Sequence, residues 1–186
     1  MRKKRYVLLD RDGTIIAEKN YLSDPDGIEI LPGVLDGLKN LQKLGLGLLI
    51  ITNQSGIGRK YFNLATLEKI HQKLIDLLLK DGVILDDIYF CPHTPEDNCL
   101  CRKPKIELVR KAITKHNFDP KLCFVVGDNK ADIELGKNIG ATTILVRTGY
   151  GEKIAQDESI KPNFVVRDLL AAADVIEEIL SKYQIT

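Results

Sequence analysis

The sequence predicts an α/β fold, a mostly parallel sheet with helices packed on both faces. Three observations carry this. Short apolar runs alternate with amphipathic stretches from end to end. The runs are continuous instead of alternating, as strands covered on both faces require. Polar, chemistry-bearing residues come directly after the strand candidates, at the edge where open parallel sheets bind ligands.

The strand candidates cover residues 6–9, 46–51, 87–90, 122–126, 143–146 and 164–166. Between them lie helix patterns over 34–44, 64–80, 106–116, 131–139 and 169–181. In the second helix Leu67, Ile70, Leu74, Leu77 and Leu78 recur at three- and four-residue spacing and form one apolar stripe. Pro32-Gly33 and Asp81-Gly82 punctuate helix ends. There is no internal repeat and no low-complexity segment.

The 186 residues suit one domain, 1–186, large enough to bury a core without staples. Lys plus Arg number 27 and Asp plus Glu 26, a net charge of +1 that gives no bulk attraction to nucleic acid or an anionic membrane. The basic start, Met1 to Arg5, is short and reads as a solvated tail. The apolar run over 6–9 is too short for a signal peptide, and no stretch is long enough to span a bilayer. The expectation is a cytoplasmic protein, and a monomer for want of an interface stripe.

The residues just past each strand are informative. After the first come Asp10-Arg11-Asp12-Gly13-Thr14, and after the second Thr52-Asn53-Gln54-Ser55-Gly56. The third leads to Cys91-Pro92-His93 and on to Arg102-Lys103-Pro104. The fourth runs into Gly127-Asp128-Asn129, with Asp132 beyond. Asp10 and Asp12 can share one crevice if the loop turns at Gly13, where they would repel. A divalent cation resolves that repulsion, and an all-oxygen set of Asp10, Asp12 and Asp128 suits Mg²⁺. Asp10 can then act as a covalent nucleophile towards phosphorus and Asp12 as its acid/base. Thr52 and Lys103 suit the phosphoryl oxygens. Asp132 is equally well explained as a helix-dipole cap or as support for the site.

These four segments match the four motifs of the haloacid dehalogenase-like phosphatases, over about residues 5–151. The chain resembles that superfamily. The resemblance implies a Rossmann-like three-layer sandwich and the same roles for Asp10, Asp12, Thr52, Lys103 and Asp128. Only about twenty residues separate Asp12 from the first helix, too few for a folded cap domain. The site is expected to be open.

Cys91 and His93, then Cys99 and Cys101, place four zinc-type ligands in one loop over 91–101. Four such ligands close a tetrahedron, which predicts a structural Zn²⁺. Cys101 lies two residues before Lys103, so fixing the loop fixes the lysine. Cys123 reads as a buried strand residue, and His71 and His116 carry no assignment. The Cys-Pro-His-Thr-Pro run over 91–95 and the Cys-Leu-Cys-Arg-Lys-Pro run over 99–104 resemble the zinc-containing branch of histidinol phosphatases and heptose-bisphosphate phosphatases. The resemblance implies a small phosphorylated sugar as substrate, held by Glu18, Lys19, Asn20, Tyr21, Asn53, Gln54, Ser55 and Arg102. Histidinol phosphate is the alternative within the branch. Asn129 stands where some members have lysine. A third reading, a non-catalytic zinc-stabilised binding module, is disfavoured by the intact Asp10 and Asp12.

Overall fold

The computed structural model describes residues 3–184. Six strands form one sheet: β1 (Tyr6–Leu9), β2 (Gly47–Asn53), β3 (Asp87–Cys91), β4 (Phe124–Gly127), β5 (Thr142–Val146) and β6 (Phe164–Val166). Their order is β3-β2-β1-β4-β5-β6, and every pair is parallel. The helices are α1 (Val34–Lys43), α2 (Leu64–Lys80), α3 (Glu107–His116), α4 (Lys130–Ile139), α5 (Gly151–Ile154) and α6 (Leu169–Gln184).

The continuous apolar runs are explained by two cores, one on each sheet face. Val7 and Leu9 of β1 point into a core with Val34 and Leu38 of α1, Ile70 and Leu74 of α2, and Ala172 and Ile176 of α6. Tyr6 and Leu8 point the other way, against Leu108 and Ala112 of α3 and Leu135 of α4. One strand feeds both layers because successive side chains alternate. Each such buried Val, Leu or Ile side chain contributes about 1.5–3 kcal/mol. The expectation of covered faces holds for the central strands and fails at one edge. Phe164 and Val165 of β6 remain 38% and 41% exposed.

Element ends shift where local hydrogen bonds compete. Residues 120–122 form a tight turn capped by the Asp119 side chain, so β4 begins after Cys123. β2 runs on to Asn53 because Thr52 and Asn53 pair with Phe90 and Cys91. Asn63 caps α2 by accepting from the Thr66 amide at 2.9 Å. The segment between β1 and α1 holds only a short helical turn, Pro25–Gly27, and no folded cap. Among the described residues, no helix is long and apolar enough to cross a membrane.

Candidate active site at the switch in strand order

The strand order reverses between β1 and β4, and a parallel sheet opens a crevice at such a point. Asp10 comes directly after β1 and Asp128 directly after β4, so both stand at its mouth. The loop after Asp10 is folded back tightly. Ile15 and Ile16, both fully buried, donate their amides to the Arg11 carbonyl at 2.9 and 3.0 Å. Gly13 sits at φ +77°, a conformation that favours glycine.

Asp10 is held by one oxygen. Its Oδ1 accepts the Arg11 amide at 2.7 Å and faces Lys103 Nζ at 2.9 Å. Among the described residues no hydrogen bond falls on Oδ2. Lys103 is buried, and its Nζ also donates to the Ile51 carbonyl at 2.7 Å and to Asp132 Oδ1 at 2.6 Å. Burial opposes its charge, but Asp10 and Asp132 outweigh burial and hold its pKa above the usual value. The ammonium is therefore a fixed cation at the crevice floor.

Asp128 is crowded in by two glycines. A Cβ on Gly13 or on Gly149 (φ +55°) would overlap the Asp128 carboxylate. Asp128 Oδ2 accepts the Tyr150 amide at 2.8 Å, whereas Oδ1 is buried with no partner. Burial, then the charges of Asp10 and Asp132, push the Asp128 carboxyl up to about 8. Burial first, and the Asp10 charge second, raise Asp132 to about 6. One oxygen each from Asp10, Asp128 and Asp132 lie within 4.8 Å of one another. Crowded carboxylates with an orphaned buried oxygen fit a hard cation among them.

The trio contains Asp132 beside the expected Asp10 and Asp128. Asp12, expected to share the cation, turns its side chain to Arg11 and Gln54 and is not in the trio. Its oxygens accept from Arg11 Nε and Nη2, both at 3.0 Å, and from Gln54 Nε2 at 2.8 Å. Asp10 and Asp12 are thus each matched to a cation of their own. Asp132 takes the third place, and both readings of it hold at once. Its Oδ2 accepts the Asn129 amide at 3.0 Å as half of a capping box, while Oδ1 grips Lys103. Asn129 serves as the N-cap of α4.

Thr52 is buried, and its hydroxyl oxygen accepts from Gln54 Nε2 at 2.9 Å. A cavity of about 170 Å³ opens beside Asp12, bordered by Glu18, Asn20, Tyr21, Gln54, Ser55 and Tyr150. Burial raises the Glu18 carboxyl. Asn20 and Tyr21 adopt φ +46° and +75°, strained values for residues with a Cβ, and Tyr21 packs edge-on to Tyr61 at 4.8 Å. Three residues expected at the substrate are engaged elsewhere. Lys19 pairs with Glu29 at 3.2 Å. Asn53 accepts the Lys103 amide at 3.0 Å and donates to the Lys103 carbonyl at 3.3 Å, so it holds the lysine's main chain. Arg102 donates through Nη1 to the His93 carbonyl at 3.2 Å.

The loop ligands come together as expected. Cys101 Sγ lies 3.1 Å from Cys91 Sγ and 3.5 Å from Cys99 Sγ, and 3.2 Å from His93 Nδ1. A tetrahedral centre with metal–sulfur bonds of about 2.3 Å has ligand–ligand edges of about 3.8 Å, so a small expansion of the loop admits one metal ion. Burial opposes ionisation of Cys99, but hydrogen bonds from Cys91 and the Arg102 amide bring its thiol down to about 7. The quartet is tied to the β2 loop. The Gln54 amide donates to the Cys91 carbonyl at 2.7 Å, and Gly58 to that of Pro92 at 2.9 Å.

Two parts of the site go beyond the sequence reading. Arg11 stands there only as a member of a motif, yet it is among the largest fully buried side chains. The segment Thr148-Gly149-Tyr150, past the end of β5, completes the Asp128 cradle, with the Thr148 hydroxyl donating to the Gly13 carbonyl at 2.6 Å. The signal for it is positional: the fifth strand, like the first four, ends at the crevice edge.

Residues 100–172 match a family profile described as "HAD-hyrolase-like". A Helicobacter pylori protein named D-glycero-beta-D-manno-heptose-1,7-bisphosphate 7-phosphatase is 42% identical over 74% of this chain and 80% of its own. A histidine biosynthesis bifunctional protein HisB from Legionella pneumophila is 37% identical over 82% of this chain, but that match spans only 44% of the longer protein. A solved structure of D,D-heptose 1.7-bisphosphate phosphatase from B. bronchiseptica, complexed with magnesium and phosphate, superposes with a TM-score of 0.87. It is 32% identical, with 94% of this chain and 98% of the other covered. With relatives this similar over most of their length, and with the four motifs gathered at the switch in strand order, the chain belongs to the haloacid dehalogenase-like phosphatases.

Proposed function

We propose that this chain is a magnesium-dependent phosphatase that removes the 7-phosphate of D-glycero-β-D-manno-heptose 1,7-bisphosphate. The observation that carries the chemistry is the state of Asp10. One oxygen is pinned by the Arg11 amide and Lys103, and the other is left for phosphorus. The choice of substrate is supported by the heptose-bisphosphate phosphatases among the relatives, which match most of the chain.

In the first half-reaction an Asp10 oxygen attacks phosphorus, the bond from phosphorus to the sugar oxygen breaks, and Asp12 gives that oxygen its proton. In the second, water attacks the aspartyl-phosphate and yields its proton to Asp12. The bond to Asp10 breaks, which restores the carboxylate and frees phosphate. Lys103 and Thr52 hold phosphoryl oxygens throughout. Asp10 and Asp128, with Asp12 or Asp132 beside them, would hold Mg²⁺, which would supply positive charge against the phosphoryl group. Cys91, His93, Cys99 and Cys101 would hold a structural Zn²⁺.

A second reading, histidinol-phosphate phosphatase, is favoured by the HisB relative and by Glu18 at the cavity, a carboxylate that suits a cationic amine. The test is phosphate release with Mg²⁺ from both anomers of heptose 1,7-bisphosphate and from histidinol phosphate. The β anomer should be preferred, and Asp10→Asn should lose about 10⁴-fold or more on every substrate. Wild-type turnover by Asp10→Asn would refute the covalent route. A preference for histidinol phosphate by orders of magnitude would refute the sugar assignment.

A further inference from the structure

Arg11 is 1% exposed, an unusual place for a guanidinium. A buried cation needs a carboxylate partner, and Nε and Nη2 of Arg11 converge on one, while Nη1 is buried without a partner. Arg11 Nε donates to Asp12 Oδ2 and Nη2 to Asp12 Oδ1, each at 3.0 Å, in a two-pronged fork. Nη2 also donates to Gln54 Oε1 at 2.9 Å. Gln54 returns its Nε2 to Asp12 Oδ2 at 2.8 Å and to Thr52 Oγ1 at 2.9 Å. The result is a closed ring of three side chains, with Thr52 attached. A single ion pair fixes only a distance. A fork plus a third donor fixes the plane of the carboxylate and the direction of its exposed edge, which borders the cavity. Among the described residues the fork touches no other carboxylate, since Asp10 is served by Lys103.

We propose that Arg11 is a positioning residue for proton transfer, holding Asp12 in the orientation that delivers a proton to the leaving oxygen. This rests on the reading of Asp12 as the acid/base. Gln54, expected at the substrate, works in the same ring as the brace that joins Asp12 to Thr52.

Leaving groups separate positioning from bulk. A sugar alkoxide needs the proton, whereas 4-nitrophenolate departs without one. kcat/KM for an aryl phosphate ends at aryl release, so the later work of Asp12 on water does not enter it. The experiment compares kcat/KM on heptose 1,7-bisphosphate and on 4-nitrophenyl phosphate for wild type, Asp12→Asn, Arg11→Lys and Arg11→Met. Asp12→Asn should lose about 10²-fold or more on the sugar phosphate and less than about 5-fold on the aryl phosphate. Both Arg11 variants should show the same split, because lysine keeps the charge but cannot form the fork. The retained aryl activity is also the check that each variant is folded. If the Arg11 variants lose both activities in equal measure, or keep wild-type activity on the sugar, the inference is overturned while the Asp12 reading stands. An Asp12→Asn enzyme without the split overturns that reading and the inference with it.

Discussion

His71 lies on the core-facing stripe of α2 with Leu67, Ile70 and Leu74, 8% exposed, its ring 5.7 Å from that of Phe90. Burial first, and the Arg11 guanidinium second, hold its pKa down to about 3, against an ordinary 6.5. The sign depends on which state binds the proton. Below pH 6.5 the unfolded chain charges this imidazole, while the folded protein keeps it neutral until about pH 3. The unfolded state therefore binds more protons in that window. Stability is fully present above 6.5 and is lost as pH falls towards 3. Each pH unit inside the window is worth about 1.4 kcal/mol. From pH 7.5 to 5.5 the loss from His71 is about 1.4 kcal/mol, and to pH 4.5 about 2.7 kcal/mol. Those are large fractions of a net stability of about 5–15 kcal/mol. His71→Leu removes the titration and keeps the stripe apolar. Urea unfolding of both proteins at about pH 7.5, 5.5 and 4.5 isolates the effect, because the carboxylates common to both cancel in the difference. Wild type should weaken relative to the variant by the amounts given. A difference between the two proteins that does not change with pH would refute the reasoning.

Two further outcomes concern the metal sites. Cys99→Ser should lower zinc content and the melting temperature together, the latter by ~10 °C, since a four-ligand site contributes directly to folding; a zinc-free protein that melts like wild type would remove the structural role. Gly149→Ala adds a Cβ at φ +55° against the Asp128 carboxylate, and should raise the Mg²⁺ concentration for half-maximal activity ~10-fold and cost ~1–2 kcal/mol of stability. Activity measured against Mg²⁺ concentration reads the first quantity and thermal melting the second, and an unchanged half-maximal concentration would show that the carboxylate is not held by this cradle.

The fold is legible in the sequence because its signal is local. Continuous apolar runs mark strands with two covered faces, and the two cores on either side of β1 are the reason those runs exist. The acidic loop, the threonine, the lysine and the four zinc-type ligands are legible for a second reason: each is anchored by main-chain position at or beyond a strand end. Side-chain direction is not legible. Lys19, Asn53 and Arg102 look alike in the sequence as polar residues near the site. They part company because Glu29, the Lys103 main chain and the His93 carbonyl each capture one of them, and all three partners arrive through the tertiary fold. The place of Asp12 is hidden for the same reason. Two carboxylates two residues apart suggest one shared cation, and the fold adds a protein cation to each. His71 carries no signal, because its burial beside Arg11 depends on how α2 packs.

The division of labour between Asp10 and Asp12 therefore lies less in the carboxylates than in their cations. Arg11 is adjacent in sequence, so the partner of Asp12 is set as soon as the loop folds back on the Arg11 carbonyl. Lys103 is remote, and its position is the harder problem for the chain. Three devices converge on it. The quartet of Cys91, His93, Cys99 and Cys101 draws in the loop that carries it. Asn53, at the end of β2, clamps its main chain with two hydrogen bonds. Asp132, at the start of α4, takes its ammonium from the far side. Each comes from a different element, so the lysine is held from three sides. A phosphatase with no cap to close over its substrate has few other ways to fix a cation in advance. The zinc-type loop is then best understood as the remote arm of the site, paired with Asn53 across the β2–β3 edge. Its loss should disturb Lys103 while leaving the fork of Arg11 on Asp12 in place.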